Sequence, residues 1–116
     1  MKKEEKYIDR VSNKELNRIV YYYDNNIIGK EVYIFNNEYH REDGPAIISY
    51  YTHTIKNTIC SKYYYNNGKL HNESGPAYVW YLDDEEVLEK KYYINGKCIT
   101  DKLRITIIET SYIKKE

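Results

Sequence analysis

Apolar and polar residues alternate with a period of two in short blocks along the chain, and the blocks are bounded by Asn, Gly or Pro. Ala46–Tyr51 (AIISYY), Ala77–Leu82 (AYVWYL) and Leu103–Thr110 (LRITIIET) each read as a strand. Gly29–Phe35, Ile59–Tyr65 and Val87–Ile94 read as the strands that return beside them. Ala46, Ile48 and Tyr50 share a face with Ala77, Val79 and Tyr81, and with Ile105 and Ile107, so this is the predicted core face. The opposite face carries Ile47, Ser49 and Tyr51, then Tyr78, Trp80 and Leu82, then Thr106 and Ile108. That face is too aromatic for an ordinary solvent face. Asn67-Gly68 and Asn95-Gly96 are strong hairpin signals, because both central residues of a type I′ turn need positive φ; Asn36-Asn37 is a poorer version. Near the N-terminus, Ser12-Asn13-Lys14-Glu15 fits a capping box and predicts a short helix over Asn13–Arg18. The expected architecture is all-β, an antiparallel meander of six to eight strands in repeated hairpins, preceded by that helix. It divides into a charged N-terminal segment, 1–18, and a repeat region, 19–116.

The repeat is explicit. Glu31–Ala46 (EVYIFNNEYHREDGPA) and Lys62–Ala77 (KYYYNNGKLHNESGPA) are 31 residues apart and agree at 7 of 16 positions. The shared residues include Tyr33/Tyr64, Asn36/Asn67, His40/His71 and the Gly44-Pro45-Ala46/Gly75-Pro76-Ala77 element. A decayed third copy starts at Lys90 (KKYYINGKCITDKLRI), 28 residues further on, without the His or the Gly-Pro-Ala. Residues duplicated with their repeat are expected to be structural. Glycine would supply backbone freedom at the turn, proline would fix the start of a strand, and alanine would leave room for close packing. His40 and His71 are expected to bond within their own loops, with Glu42 and Glu73 as nearby partners.

These units resemble the MORN-like repeats of bacterial, phage and giant-virus proteins. His40–Ala46 (HREDGPA) matches their motif outright, and His71–Ala77 (HNESGPA) matches it with two changes. The resemblance spans residues 19–108. It implies a single-layer twisted sheet of β-hairpins and no catalytic residue. It also implies relatives among antitoxins and among membrane-associated eukaryotic MORN proteins.

A length of 116 residues suits one domain. The 18 basic and 18 acidic residues balance, which argues against action through a broad basic field on nucleic acid or membranes. No apolar run reaches the length of a membrane span or of a signal-peptide core, so a cytoplasmic protein is expected. Tyr, Ile, Lys and Asn, which AT-rich codons favour, make up 56 of the 116 residues. That bias points to a low-GC bacterium, its phage or a giant virus. Cys60 and Cys98 form no CxxC pair, and no His/Cys spacing suggests a metal site; no cofactor is expected.

The candidate contact residues are aromatic and acidic. Tyr51, Tyr63, Tyr65, Tyr78, Trp80 and Tyr93 form the richest aromatic set outside the predicted core face. Asp83, Asp84, Glu85 and Glu86 form a dense acidic hairpin tip that would steer toward a basic surface. Phosphate loops, nucleophile elbows and Cys–His arrangements are missing. The expected function is therefore a non-catalytic protein-binding module. The favoured form is a phage- or prophage-encoded inhibitor of a bacterial defence nuclease, of the anti-CRISPR kind. An antitoxin or immunity protein is the first alternative, and a lipid-surface or scaffold protein the second. Homodimerisation through open sheet edges is a further expectation.

Overall fold

The computed structural model describes residues 1–24, 26–53, 57–82 and 86–99. Twelve strands lie among them: β1 (Lys2–Ile8), β2 (Glu15–Asp24), β3 (Ile27–Phe35), β4 (Glu38–Tyr39), β5 (Ile47–Tyr50), β6 (Ile59–Tyr63), β7 (Tyr65–Asn66), β8 (Lys69–Leu70), β9 (Tyr78–Tyr81), β10 (Val87–Lys91), β11 (Tyr93–Ile94) and β12 (Lys97–Cys98). The main sheet runs β1-β2-β3-β5-β6-β9-β10, with β4 folded back on β3. Every neighbouring pair is antiparallel, so the sheet is a meander. β7–β8 and β11–β12 are separate two-stranded ribbons. The predicted strand Leu103–Thr110 lies outside the described residues.

The predicted N-terminal helix is not formed. Residues 15–18 begin β2, and the boundary drawn between residues 18 and 19 falls inside that strand. The Ser12 hydroxyl does accept a local bond, from the Lys14 N–H at 3.2 Å, but within a turn. Asp9 organises that turn. Its Oδ1 accepts the N–H groups of Val11 (2.9 Å) and Ser12 (3.0 Å), and Asn13 takes positive φ. A six-residue helix is too short to be stable alone. As a strand, the same residues place Leu16 (0% exposed) and Val20 (3%) in the core on one face.

Register assigns the faces. Val20, Glu31, Ile48, Lys62, Val79 and Lys90 lie in one cross-strand row, and Ile19, Val32, Ile47, Tyr63, Tyr78 and Lys91 in the next. Ala46, Ala77 and Val79 are buried on the predicted core face, whereas Ile48, Tyr50 and Tyr81 are half-buried. Burial is not one-sided, since Val32 on the opposite face is also buried. Glu31 is buried, and its carboxylate is held by the Arg18 guanidinium (2.9 Å) and by the Tyr33 and Tyr50 hydroxyls. Burial, then the Glu31 hydrogen bond, pushes the Tyr50 hydroxyl well above its ordinary value.

Consecutive units are joined by a recurring set of bonds. Asn36-Asn37, Asn67-Gly68 and Asn95-Gly96 all have positive φ at both positions, as type I′ turns require. The Asn67-Gly68 turn bonds back to the preceding unit. Gly68 N–H donates to the Tyr39 carbonyl (2.9 Å), Asn67 N–H to His40 Nδ1 (3.0 Å), and Arg41 N–H to the Tyr65 carbonyl (3.1 Å). The third unit repeats the pattern on the second. Gly96 N–H donates to the Leu70 carbonyl (2.8 Å), Asn95 N–H to His71 Nδ1 (2.9 Å), and Asn72 N–H to the Tyr93 carbonyl (3.2 Å). The histidines therefore reach into the next unit rather than bonding only within their own loops. Glu42 and Glu73 do lie beside the far nitrogens, 3.4 and 3.5 Å from Nε2.

The Gly-Pro-Ala loops share a geometry built from different side chains. Arg41 Nη1 donates to the Pro45 carbonyl (3.1 Å), and in the next unit Asn72 Nδ2 donates to the Pro76 carbonyl (3.0 Å). Asn72 also accepts the Ser74 N–H through its own Oδ1 (3.2 Å). Arg41 has no acceptor, so the first loop takes one from outside: Asp9 Oδ2 accepts the N–H groups of Glu42 (2.6 Å) and Asp43 (3.3 Å). Neither Gly44 nor Gly75 is at positive φ, so backbone freedom is not their role. A Cβ on Gly44 would stand 2.8 Å from Arg41 Cζ, whereas on Gly75 the nearest atom is Asn72 Nδ2 at 3.7 Å. The Arg41 head is pinned by Asp43, by Pro45 and by the Tyr33 ring 4.1 Å away, so it yields at a cost.

Two predictions follow from these loops. Gly44→Ala should lower stability by about 1–2 kcal/mol, while Gly75→Ala stays within about 0.5 kcal/mol in chemical denaturation. Desolvation acts to raise the Asp9 and Asp43 carboxyls, but hydrogen bonds outweigh it and both titrate below their ordinary value. Their contribution is therefore complete above about pH 4 and is lost as pH falls through that range. Asp9→Ala orphans backbone N–H groups and should cost roughly 3 kcal/mol at neutral pH. It should also flatten the acid limb of a stability–pH curve.

Candidate functional site

The main sheet and the β7–β8 ribbon together create an aromatic surface. Tyr63 on β6 meets Tyr78 on β9 edge-on, with ring centroids 4.9 Å apart. Tyr63 stacks on Tyr65 at 6.5 Å, and Tyr65 packs against Tyr39 at 5.3 Å. Tyr93, on the β11–β12 ribbon, acts electrostatically on Tyr65. Four of the six predicted aromatics, Tyr63, Tyr65, Tyr78 and Tyr93, are thus brought into one neighbourhood. Trp80, two residues along β9 from Tyr78, shares its face and is 41% exposed. Tyr51 is engaged differently: its hydroxyl donates to the Tyr81 carbonyl, and its ring lies 5.4 Å from His53.

Trp80 lies between Ser61 and Glu89 in the cross-strand register, and Leu82, two residues on, is 38% exposed. Val87 (48% exposed) is paired with Tyr81, and Leu88 (54%) falls between Val87 and Glu89. Register slips between Val87 and Glu89, the kind of irregularity that turns a side chain out of the pleat. Glu86 of the acidic tip is exposed, and its carbonyl accepts the Leu82 N–H at 2.7 Å. Asp83, Asp84 and Glu85 lie outside the described residues.

The phenols of this surface are neutral donors. Burial, followed by the neighbouring Tyr63, pushes the Tyr78 hydroxyl up to about 12. Burial also raises Tyr65, with Tyr63, Tyr39 and Tyr93 adding to it. The surface therefore offers rings and neutral hydroxyls, beside the Lys91–Glu89 ion pair (3.3 Å) that the register sets across from Tyr78 and Trp80. The other face carries a separate set of charges. A cavity of about 680 Å³ opens between the two Gly-Pro-Ala loops, floored by Tyr64, Val79 and Tyr81 and flanked by Glu42 and Glu73. Arg41 also lines it, but Asp43 neutralises that guanidinium at 2.6 Å.

Other chemistry is sparse. Among the described residues, no group of three His, Cys, Asp or Glu side chains is placed to hold a metal ion. Cys60 is half-buried and Cys98 exposed, both as free thiols. The outer strand β1 (KKEEKYI) is exposed and densely charged, a composition that opposes edge-to-edge pairing with a second copy. No helix among the described residues is long and apolar enough to cross a membrane. Compared with known protein families, curated proteins and solved structures, the chain matches none.

Raised phenol values have a consequence at high pH. A group whose folded-state value is raised stabilises the fold below its unfolded value, about 10 for tyrosine, and loses that contribution as pH rises through the folded one. Stability should therefore decline above about pH 10. Tyr50→Phe together with Tyr78→Phe should reduce the decline, read from denaturant melts between pH 8 and 11.

Proposed function

We propose that the protein is a non-catalytic binding module that acts by covering a site on a larger protein, with the aromatic surface around Trp80 as its contact. The observation that carries this reading is Trp80 itself, which is 41% exposed beside the packed Tyr63, Tyr65 and Tyr78. Trp is among the residue types most enriched in interface hot spots. The partner is a protein with a basic surface, for which the acidic run Asp83 to Glu86, which follows Trp80 and Leu82 in the chain, supplies complementary charge. Its favoured class is a bacterial defence nuclease, with the chain as a phage- or prophage-encoded inhibitor. The AT-biased composition and the resemblance to viral repeat proteins support that class.

The test starts with affinity capture from a low-GC bacterial lysate, then kinetics on the purified partner. Trp80→Ala should leave the thermal melt nearly unchanged, because the ring is exposed. It should weaken binding by roughly 2 kcal/mol, mainly through faster dissociation. Neutralising Asp83, Asp84, Glu85 and Glu86 together should slow association and reduce its dependence on salt. Wild-type affinity in Trp80→Ala, or unfolding of that variant, overturns the reading.

A further inference from the structure

We infer that His40 and His71 are paired acid-sensitive latches, whose protonation releases each hairpin turn from the unit before it. The inference rests on which atoms donate and which accept. Asn67 N–H points at His40 Nδ1 at 3.0 Å, and Asn95 N–H points at His71 Nδ1 at 2.9 Å. A backbone N–H can only donate, so Nδ1 must carry a lone pair. Both rings are therefore neutral, with their hydrogen on Nε2. An imidazolium has hydrogens on both nitrogens, which would set donor against donor at each of these contacts.

The surroundings are the same in kind for both rings. His40 is 1% exposed; its Nε2 has no hydrogen-bond partner and lies 3.4 Å from a Glu42 oxygen. From β3, Phe35 faces the His40 ring at 5.8 Å and brings no charge. Lys14 Nζ sits 5.0 Å over that Phe35 ring, and Arg41, the next residue in the chain, is paired with Asp43. Around His71, Glu73 lies 3.5 Å from Nε2, and the shared cavity adds Glu42 and the mutually neutralised Arg41 and Asp43. Each ring thus has a carboxylate beside Nε2 to receive the imidazolium and a backbone donor at Nδ1 to reject it. A proton drives the Nδ1 side apart without leaving the charge unpaired.

The two latches occupy equivalent places and hold equivalent turns, so they open as a set. The third unit carries Ile99 at the histidine's place and has no such acceptor to offer. His53, exposed and outside the repeat position, serves as an internal control.

The measurement is heteronuclear NMR on the full chain from pH 8 to pH 5. At pH 8, the His40 and His71 rings should show the Nε2–H tautomer with Nδ1 bare. As those rings titrate, hydrogen-exchange protection at the Asn67 and Asn95 amides should fall by tenfold or more, while the Val32 amide in the main sheet keeps its protection. His40→Asn and His71→Asn place an amide oxygen near the Nδ1 position, an acceptor that does not titrate, and should abolish this pH dependence. If those variants fail to fold, the wild-type tautomer and exchange data decide alone. An Nδ1–H tautomer, unchanged protection as the rings titrate, or rings that stay neutral until the whole sheet unfolds would each overturn the latch.

Discussion

A hydrogen bond from a turn amide to an imidazole nitrogen of the preceding unit sets the spacing of the array. The long strands pair along the main sheet and need little else. The ribbons β7–β8 and β11–β12 have two residues per strand, and isolated ribbons of that size are marginal in water. Each is joined to the unit before it by three bonds: its turn donates to a backbone carbonyl and to a histidine Nδ1, and its own first-strand carbonyl accepts an N–H from that unit. At that position the ring of His40 or His71 supplies the acceptor for the next unit's turn amide. Tyr65 and Tyr93 ride on these ribbons, so the aromatic surface inherits its geometry from the latches.

The units also show how one loop geometry is met by unlike sequences. In both loops the residue after histidine reaches a proline carbonyl, by guanidinium in one and carboxamide in the other. The difference lies in what remains. Asn72 has a carbonyl oxygen and satisfies its loop's Ser74 amide unaided. Arg41 has donors only, so the first loop needs Asp9 as acceptor and Asp43 as counter-charge. The Arg-Glu-Asp sequence of the first loop is then the half of the joint that receives the N-terminal hairpin, while Asn-Glu-Ser closes on itself. Gly44 belongs to the same arrangement, because the guanidinium occupies the space its side chain would fill.

How much of this was readable without coordinates depends on the kind of signal. The Asn-Gly turns, the strand phases and the meander follow from local rules, since positive φ and period two constrain residues next to each other in sequence. The N-terminal helix failed because Ser12 and Glu15 carry the same capping signature whether the chain coils or reverses. What decided it was Asp9, whose carboxylate serves a turn three residues ahead and a loop 33 residues ahead. The long-range partner of the histidines was equally hidden. Duplication marked His40 and His71 as structural, but nothing in the spacing says that an acceptor belongs to the next unit's amide. Leu88 is exposed through a register slip that no alternation pattern encodes.

The abundance of tyrosine has a physical reading separate from binding. One sheet without helices must leave much of both faces half-wet, and a chain of this size buries a limited fraction of its surface. Tyrosine tolerates that position better than Phe or Leu, because its ring packs while its hydroxyl reaches water or an acceptor. Tyr33 and Tyr50 spend their hydroxyls on Glu31, and Tyr63, Tyr65 and Tyr78 pack on one another. These residues answer a folding requirement, and aromatic content by itself says little about function. Trp80 does not fit that account. It is large and 41% exposed, with the exposed Leu82 two residues on along the same face. The distinction between a wet core and a docking surface therefore falls within β9, between Tyr78, which its neighbours hold, and Trp80, which they leave open.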